Sequence, residues 1–385
     1  MTWNWQQPDW PQFRWNSAVL RKAEDVFLLG SGVSDGAMKH LAAKARKQFV
    51  VDVISSEALT TSEIEGEILD RASVRSSLSI ELGLAVPQNR AGASERGIAA
   101  MMGDLSRSFA SPLSHNTLQQ WHRELLVGRL AGSELGCYRS DEAPMQVVSG
   151  PVNRRRVHFE APPASRLERE MEQFVQWFNR TAPDGVSALP AVTRAGVSHI
   201  YFESIHPFDD GNGRIGRAIA EKAMAQCLGR PTLVALAATI LRRRKAYYVA
   251  LENANKGNEI TAWLRWFAGI AIEAQQRTTA NVEFLIEKTK LLDRLNGQLN
   301  TRQEKALLRV LREGPDGFRG GLSAGNYMTI TDATPSTARR DLAGLVSKGA
   351  LTRTGLRRYT RYHPTISSGP VLPVTVDPKG NISRG

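Results

Sequence analysis

The reading of this chain turns on His206-Pro207-Phe208-Asp209-Asp210-Gly211-Asn212-Gly213-Arg214-Ile215-Gly216-Arg217, a polar, glycine-rich stretch between two helical patterns. Pro207 biases the residue before it away from helix, so a helix arriving from Leu189 stops there. Gly211 and Gly213 admit positive φ and let a ligand approach the backbone, and Asn212 tolerates similar angles. A second helix starts near Gly213 or Arg214. Its unpaired N–H groups and positive dipole end favour an anion. Arg214 and Arg217 are three apart, so both guanidinium forks project from one helix face, suited to phosphate oxygens. Asp210 suits Mg²⁺, which takes few protein ligands and relies on phosphate oxygens and waters. His206 is a general-base candidate near neutral pH. The calcium-loop order D-x-[DN]-x-[DN]-G with a Glu at the twelfth position is absent. Each residue alone has an ordinary structural use. Together they read as a nucleotide-phosphate site with a base and a metal carboxylate.

Outward from this loop, helical periodicity covers Ser165–Asn179, Leu189–Ser204, and about 214–228, 239–254, 260–277 and 278–297. Residues 136–163 break the pattern with Gly and Pro. There Gln146-Val147-Val148 and Val157-His158-Phe159 flank Asn153-Arg154-Arg155-Arg156, as a hairpin or exposed flap would. Toward the N-terminus, helices are expected over Asn16–Gly30, Ala37–Leu59, from Thr60 or Thr61 onward, 96–110 and 114–130, with a loop at 84–96. Trp3, Trp5, Trp10, Phe13 and Trp15, interrupted by Pro8 and Pro11, suggest an extended arm or small hairpin pinned by aromatics.

The bulk properties set limits on the class. The net charge is +12, and residues 301–385 hold 14 Lys and Arg against 6 Asp and Glu. That points either to a polyanionic partner or to a solvated basic face. No apolar run approaches the roughly 18 residues of a membrane span, so no membrane partner is expected. The first residues lack the features of a signal peptide. Cys137 and Cys227 are isolated, so neither a disulfide framework nor a thiolate metal site is expected, and a cytoplasmic location fits.

The loop resembles the Fic family at every defined position of its signature, His-Pro-Phe-x-(Asp/Glu)-Gly-Asn-Gly-Arg-x-x-Arg. The resemblance implies a mainly α fold, a Fic helical core with a small β-hairpin flap. It implies a protein adenylyltransferase that moves AMP from Mg·ATP to a Ser, Thr or Tyr hydroxyl of a protein, itself included. By that resemblance His206 deprotonates the target hydroxyl and Asp210 holds Mg²⁺ on the α- and β-phosphates. Asn212, the Gly213 amide and Arg214 hold phosphates, with Gly211 in the same loop. Arg217 reaches the γ-phosphate, and Phe208 anchors the loop. Val147, Val148, Ser149 and Gly150 resemble the strand that covers the nucleotide and pairs with the target backbone. The Arg-rich tip departs from the family and leaves target preference open. Tyr247 and Asn255 resemble the pocket for the adenine base. Thr61-Ser62-Glu63-Ile64-Glu65-Gly66 matches the family's inhibitory pattern, (Ser/Thr)-x-x-x-Glu-(Gly/Asn). A Glu65 carboxylate paired with Arg217 would occupy the guanidinium that the γ-phosphate needs. The same geometry admits de-AMPylation, with Glu65 positioning a water. Related kinases and phosphocholine transferases depart from the signature where this chain does not. A homodimer is also compatible with the resemblance.

The ends add two further expectations. The Trp-rich arm resembles a domain found before some bacterial Fic cores. Residues 301–363 look like a winged helix-turn-helix, with Thr337–Lys348 as recognition helix and Leu351–Tyr362 as wing. That geometry suits DNA, and equally a protein-interaction module of the same shape. An ATP-sensing DNA-binding regulator is therefore a second functional class, which the intact His206 disfavours. The expected division is 1–95 (Trp-rich domain with inhibitory helix), 96–297 (catalytic core), 301–363 (winged helix) and 364–385 (disordered tail).

Overall fold

Residues 2–85, 91–129, 135–151, 154–314, 320–366 and 371–385 are described in the structure, a computed structural model. The chain is mainly helical, as its 3.6-residue periodicity predicts. The first helices are α1 (Arg21–Lys39), α2 (Ala43–Ile64), α3 (Arg71–Glu81), α4 (Ala93–Ser108) and α5 (His115–Leu126). Strands β1 (Gln146–Ser149) and β2 (Arg156–Glu160) follow, then α6 (Leu167–Arg180), α7 (Ala191–Ile205), α8 (Asn212–Leu228), α9 (Leu236–Arg242), α10 (Arg244–Ala254) and α11 (Thr261–Arg294). The remaining elements are α12 (Thr301–Leu311), α13 (Ala324–Thr331), α14 (Pro335–Ser347), β3 (Leu351–Thr354), β4 (Arg361–Pro364), β5 (Val374–Val376) and β6 (Ile382–Arg384). Each successive strand pair forms a two-stranded antiparallel ladder. The chain divides into two units, one of Met1–Gly32, Ala43–Gln275 and Leu372–Gly385, the other of Val33–Ala42 and Gln276–Val371.

In the first unit α7 is central, with every residue from Ala191 to Ile205 buried. Such a helix must satisfy any polar group it carries. Arg194 does so by donating to the Phe178 carbonyl (2.8 Å), the Ala223 carbonyl (3.2 Å) and Gln226 Oε1 (2.8 Å). Glu24 of α1 accepts from the N–H groups of Val192 (3.0 Å) and Thr193 (2.7 Å), so a distant carboxylate caps the start of α7. α8 packs along α7, with Ile215, Ile219, Ala223 and Met224 fully buried.

The N-terminal arm is extended with short 3₁₀ turns and is fixed by its aromatics rather than folded as a hairpin. Trp3 meets Phe159 edge-on at 5.5 Å, and Trp10 meets Tyr201 at 5.3 Å. The indole N–H groups of Trp5 and Trp10 donate to the Glu160 carbonyl (2.6 Å) and Glu170 Oε2 (2.8 Å). Arg14 adds a short parallel bridge to Glu259.

Three expectations need correction. The break near Thr60 is absent, because α2 continues to Ile64 with Thr61 and Ser62 buried, and burial outweighs their modest helix propensity. The segment 239–254 is two helices, split at Arg243, whereas 261–294 is one. Finally, residues 364–385 are not a disordered tail in their described part. Val374 and Val376 alternate inward and are buried, the Arg265 guanidinium donates to the Val376 carbonyl (2.8 and 3.0 Å), and the Val374 N–H donates to Glu273 (3.3 Å). Abundant Pro, Ser and Gly masked a short Val-x-Val strand.

In the second unit α12, α13 and α14 precede the β3–β4 ladder, and Leu322 bridges to Tyr362 beside it. Leu307, Val310, Leu311, Leu322, Tyr327, Leu342, Leu345 and Leu351 form its core. Asp341 is a buried hub that accepts from Asn300 Nδ2 (3.0 Å), Arg302 Nε (2.9 Å) and the Tyr327 hydroxyl (3.1 Å). Among the described residues, no helix is long and apolar enough to cross a membrane.

Candidate active site

The loop joins the end of α7 to the start of α8, so two packed helices fix both its ends. Phe208 is fully buried, stacked on the His122 ring at 4.2 Å and 5.3 Å from Tyr138. Asn212 closes the loop on itself. Its Oδ1 accepts from the Phe208 N–H (3.0 Å) and its Nδ2 donates to the Phe208 carbonyl (2.6 Å). The Asn212 side chain, expected on phosphate, is therefore engaged within the loop. Arg139 holds the loop from outside: its backbone N–H donates to the Pro207 carbonyl and its Nε to the His206 carbonyl, both at 2.9 Å. Gly211, at φ 86°, precedes α8, and no side chain caps that helix end.

His206 is the C-cap of α7 at φ 50°, with a side chain 14% exposed. Burial, with the Arg139 charge adding to it, pulls the imidazole down to about 4. At neutral pH it is thus an unprotonated base. The Glu203 carboxyl lies 3.9 Å from His206 Nδ1. Burial pushes it up to about 8, and the Glu65 charge pushes the same way, so it is protonated at neutral pH.

Both arginines of the loop are buried, and both face carboxylates from the segment that follows α2. Arg217 Nη2 donates to Glu65 Oε1 (2.7 Å) and to the Thr61 carbonyl (2.9 Å), and its Nε donates to Thr61 Oγ1 (2.7 Å). Arg214 Nη1 donates to Glu67 Oε2 (2.8 Å), and its Nη2 lies 3.5 Å from Asp210 Oδ1. Glu67 also pairs with Arg129. Two buried donors, Arg214 Nε and Arg217 Nη1, have no hydrogen-bond partner among the described residues. A Cβ at Gly213 would collide with Glu65 Oε1, so the Glu65 carboxylate lies against the bare start of α8. It sits where the helix end and Arg217 both favour an anion.

Asp210 has a half-exposed side chain and accepts the Gly211 N–H at 2.6 Å. No cluster of three or more His, Cys, Asp or Glu that could hold a metal occurs among the described residues.

The hairpin expected from the β-prone pieces at 146–148 and 157–159 forms, with β1 and β2 antiparallel. Val147, Val148, Ser149 and Gly150 are exposed, β1 pairs only with β2 among the described residues, and a register shift falls between Val147 and Val148. Glu252 of α10 ties the flap down through Arg156 (2.6 Å) and His158 (2.8 Å). Within the Arg-rich tip, Asn153 lies outside the described residues, and Arg154 and Arg155 are exposed.

Tyr247 and Asn255 are placed differently from the expectation. Tyr247 is 1% exposed, its hydroxyl is 2.8 Å from His199 Nε2, and its ring lies 5.8 Å from Trp266. Asn255 is the buried C-cap of α10, and its Oδ1 accepts from Ser204 at 3.1 Å. The exposed tyrosine is Tyr248, whose hydroxyl donates to the Ile64 carbonyl at 3.3 Å.

Sequence reasoning missed Glu67, Arg139 and Glu203. The spacing of Glu67 from Glu65 was the only local signal for it. Arg139 and Glu203 gave none, because their roles depend on where chain segments converge.

Comparison with known proteins places the loop within a family match. Residues 112–224 match the family described as Fic/DOC family, and residues 3–84 match a domain of unknown function, DUF4172. The chain is 31% identical over 148 residues to the protein adenylyltransferase Fic of Nematostella vectensis, covering 38% of this chain and 30% of that protein. It is 28% identical over 218 residues to the protein adenylyltransferase fic-1 of Caenorhabditis briggsae, covering 54% and 38%. This chain thus spans well under half the length of these relatives. Among solved structures, a Fic family protein from Desulfovibrio desulfuricans G20 matches with a TM-score of 0.51 at 20% identity, over 94% of this chain and 99% of that one. A Fic domain containing signaling protein from Bacteroides thetaiotaomicron VPI-5482 matches with a TM-score of 0.50 at 16% identity, over 69% and 97%. The chain therefore carries a Fic/DOC family match over residues 112–224 and shares its mainly helical fold with solved Fic proteins.

Proposed function

We propose that this chain is a protein adenylyltransferase that transfers AMP from Mg·ATP to a Ser, Thr or Tyr hydroxyl of a protein, itself included, and that Glu65 restrains it. One observation carries the reading. A carboxylate from the chain itself lies against the uncapped start of α8 and on Arg217, beside a neutral histidine. That place suits a phosphate group, and two unpartnered guanidinium donors next to it suit further oxygens.

In the working state Glu65 leaves, and Arg217, Arg214 and the Gly213 amide hold the polyphosphate. His206 accepts the proton of the target hydroxyl. The freed oxygen bonds to the α-phosphorus, the bond from that phosphorus to the β-phosphate bridge breaks, and pyrophosphate leaves. Asp210 fits Mg²⁺ as a half-exposed carboxylate beside the phosphate donors. When bound, the ion would neutralise developing charge on the phosphates. The exposed edge of β1, from Val147 to Gly150, would align the target backbone. In this reading Tyr248, rather than the buried Tyr247 and Asn255, is the aromatic available to the base.

The test is incorporation of α-labelled ATP into protein. Glu65→Gly should label strongly, wild type weakly, and Glu65→Gly/His206→Ala not at all. Equal labelling of wild type and Glu65→Gly sinks the restraint. Labelling that survives His206→Ala sinks the assigned base. Loss of label from a pre-modified target, catalysed by wild type but not by Glu65→Gly, would favour de-AMPylation instead.

A second reading concerns the second unit, as a winged helix that binds DNA. It is supported by the solvent face of α14, where Arg339 and Arg340 are exposed, together with exposed Arg353, Arg357 and Arg358 on and beside the β3–β4 ladder. Asp341, the acidic residue of α14, points away into the core. Binding to duplex DNA that weakens steeply with salt is expected. No binding at low salt would leave a protein partner.

A further inference from the structure

Glu65 and Glu67 are two residues apart, yet they meet the loop in different ways. Glu65 contacts one arginine and its side chain is 31% exposed. It can swing toward solvent by rotating its own side chain. Glu67 is 9% exposed and bridges two cations, Arg214 and Arg129. Its backbone N–H also donates to the Ser62 carbonyl at 3.0 Å. Gly66, at φ 86°, turns the chain so that the two carboxylates reach different arginines.

The consequences for the two guanidinium groups also differ. Glu65 shares Arg217 with Thr61, and it lies where an anion at Gly213 would sit. Glu67 takes only Nη1 of Arg214. Among the described residues Nε of Arg214 is buried without a partner, and Nη2 lies toward the loop at 3.5 Å from Asp210. A carboxylate on one end of a planar guanidinium fixes the direction of its remaining donors. The third charge matters as well. With Arg129 attached, Glu67 is already compensated, so it has less reason to be drawn away when phosphates approach Arg214.

We infer that Glu67 is a positioning residue for nucleotide binding: it stays on Arg214 in the working state and aims Nε and Nη2 of that arginine at the phosphates, whereas Glu65 must leave. The two acids of one short segment thus act with opposite sign. The inference rests on the phosphate-site reading of the loop.

The experiment measures Mg·ATP affinity by calorimetry on the full chain, in the Glu65→Gly background, together with KM and kcat for labelling. Adding Glu67→Ala should weaken ATP about tenfold, the size of one lost charge-assisted contact. KM should rise by a similar factor with a smaller change in kcat. Glu67→Gln keeps an oxygen for Arg214 and should recover part of the loss. Arg129→Gln, a change at the more exposed end of the bridge, should cost less than threefold and guards against misfolding of the alanine variant. Unchanged or tighter ATP binding in Glu67→Ala overturns the inference. So does increased labelling on Glu67→Ala with Glu65 intact, the outcome for a second restraint. If Glu65→Gly binds ATP but transfers nothing, the transferase reading fails while the affinities still decide the role of Glu67. If Glu65→Gly binds no ATP, both fall.

Discussion

The loop 206–217 and the segment 61–67 face each other across two arginine–carboxylate contacts, yet they are built to different degrees of rigidity. The loop is over-determined. Phe208 is fully buried, Asn212 bonds both ends of its side chain to the Phe208 backbone, and Arg139 ties the carbonyl of His206. The opposing segment is the last turn of α2 and the turn after it, with the Glu65 side chain partly in solvent. A base and phosphate donors must be held closely, since small displacements of reacting groups are costly in rate. A restraint has the contrary requirement, because it must be able to leave. The two regions differ in the way the proposed function would demand.

The contrast can be broken on its rigid side first. In the Glu65→Gly background, His206→Ala should lower the labelling rate by about 10²–10⁴, the usual contribution of a positioned general base. A loss of only a few-fold would mean that His206 is a structural cap of α7. Next in size is the loop anchor. Phe208→Ala should destabilise the protein by about 3–5 kcal/mol, read from denaturant unfolding, because it opens a cavity under the loop between His122 and Tyr138. An effect below about 1 kcal/mol would show that the loop is held by its backbone contacts alone.

The smallest effect sharpens the electrostatics. A buried imidazole pulled down to about 4 stays neutral, and able to accept a proton, as pH falls through the ordinary imidazole value of 6.5. The acid limb of kcat/KM for the Glu65→Gly variant should therefore lie well below pH 6. Removing Glu65 removes a charge that favours the protonated ring, so it moves the limb further in the same direction. Half-loss of activity near pH 6.5, unmoved by Arg139→Gln, would show a solvated histidine instead.

Legibility followed the distance in sequence over which each feature is specified. The loop was readable because its parts adjoin: Pro207 stops one helix, Gly211 opens the next, and the two arginines share a face by spacing alone. The hairpin was readable from two short β-prone pieces, 146–148 and 157–159, flanking a polar Arg-rich turn. The burial of Tyr247 and Asn255 was not readable, because a family pattern gives no burial. The core pairs Tyr247 with His199 and Asn255 with Ser204, and leaves Tyr248 outward. The C-terminal hairpin was misread because its strands are too short to outweigh a composition rich in Pro, Ser and Gly, and they are held by Arg265 and Glu273 from far upstream.

By itself, then, the amino-acid sequence determined a mainly helical chain, a glycine-rich loop between two helices that carries a histidine, an acid and two arginines, and a glutamate segment that matches a family pattern. Only the tertiary structure decided what each charge meets. It set Glu65 on Arg217 and Glu67 on Arg214, kept His206 neutral, and closed Asn212 inside the loop. The physical reason is that spacing places donors and acceptors along one element. Burial and partners are set by packing, which for the two arginine–carboxylate contacts joins segments more than a hundred residues apart.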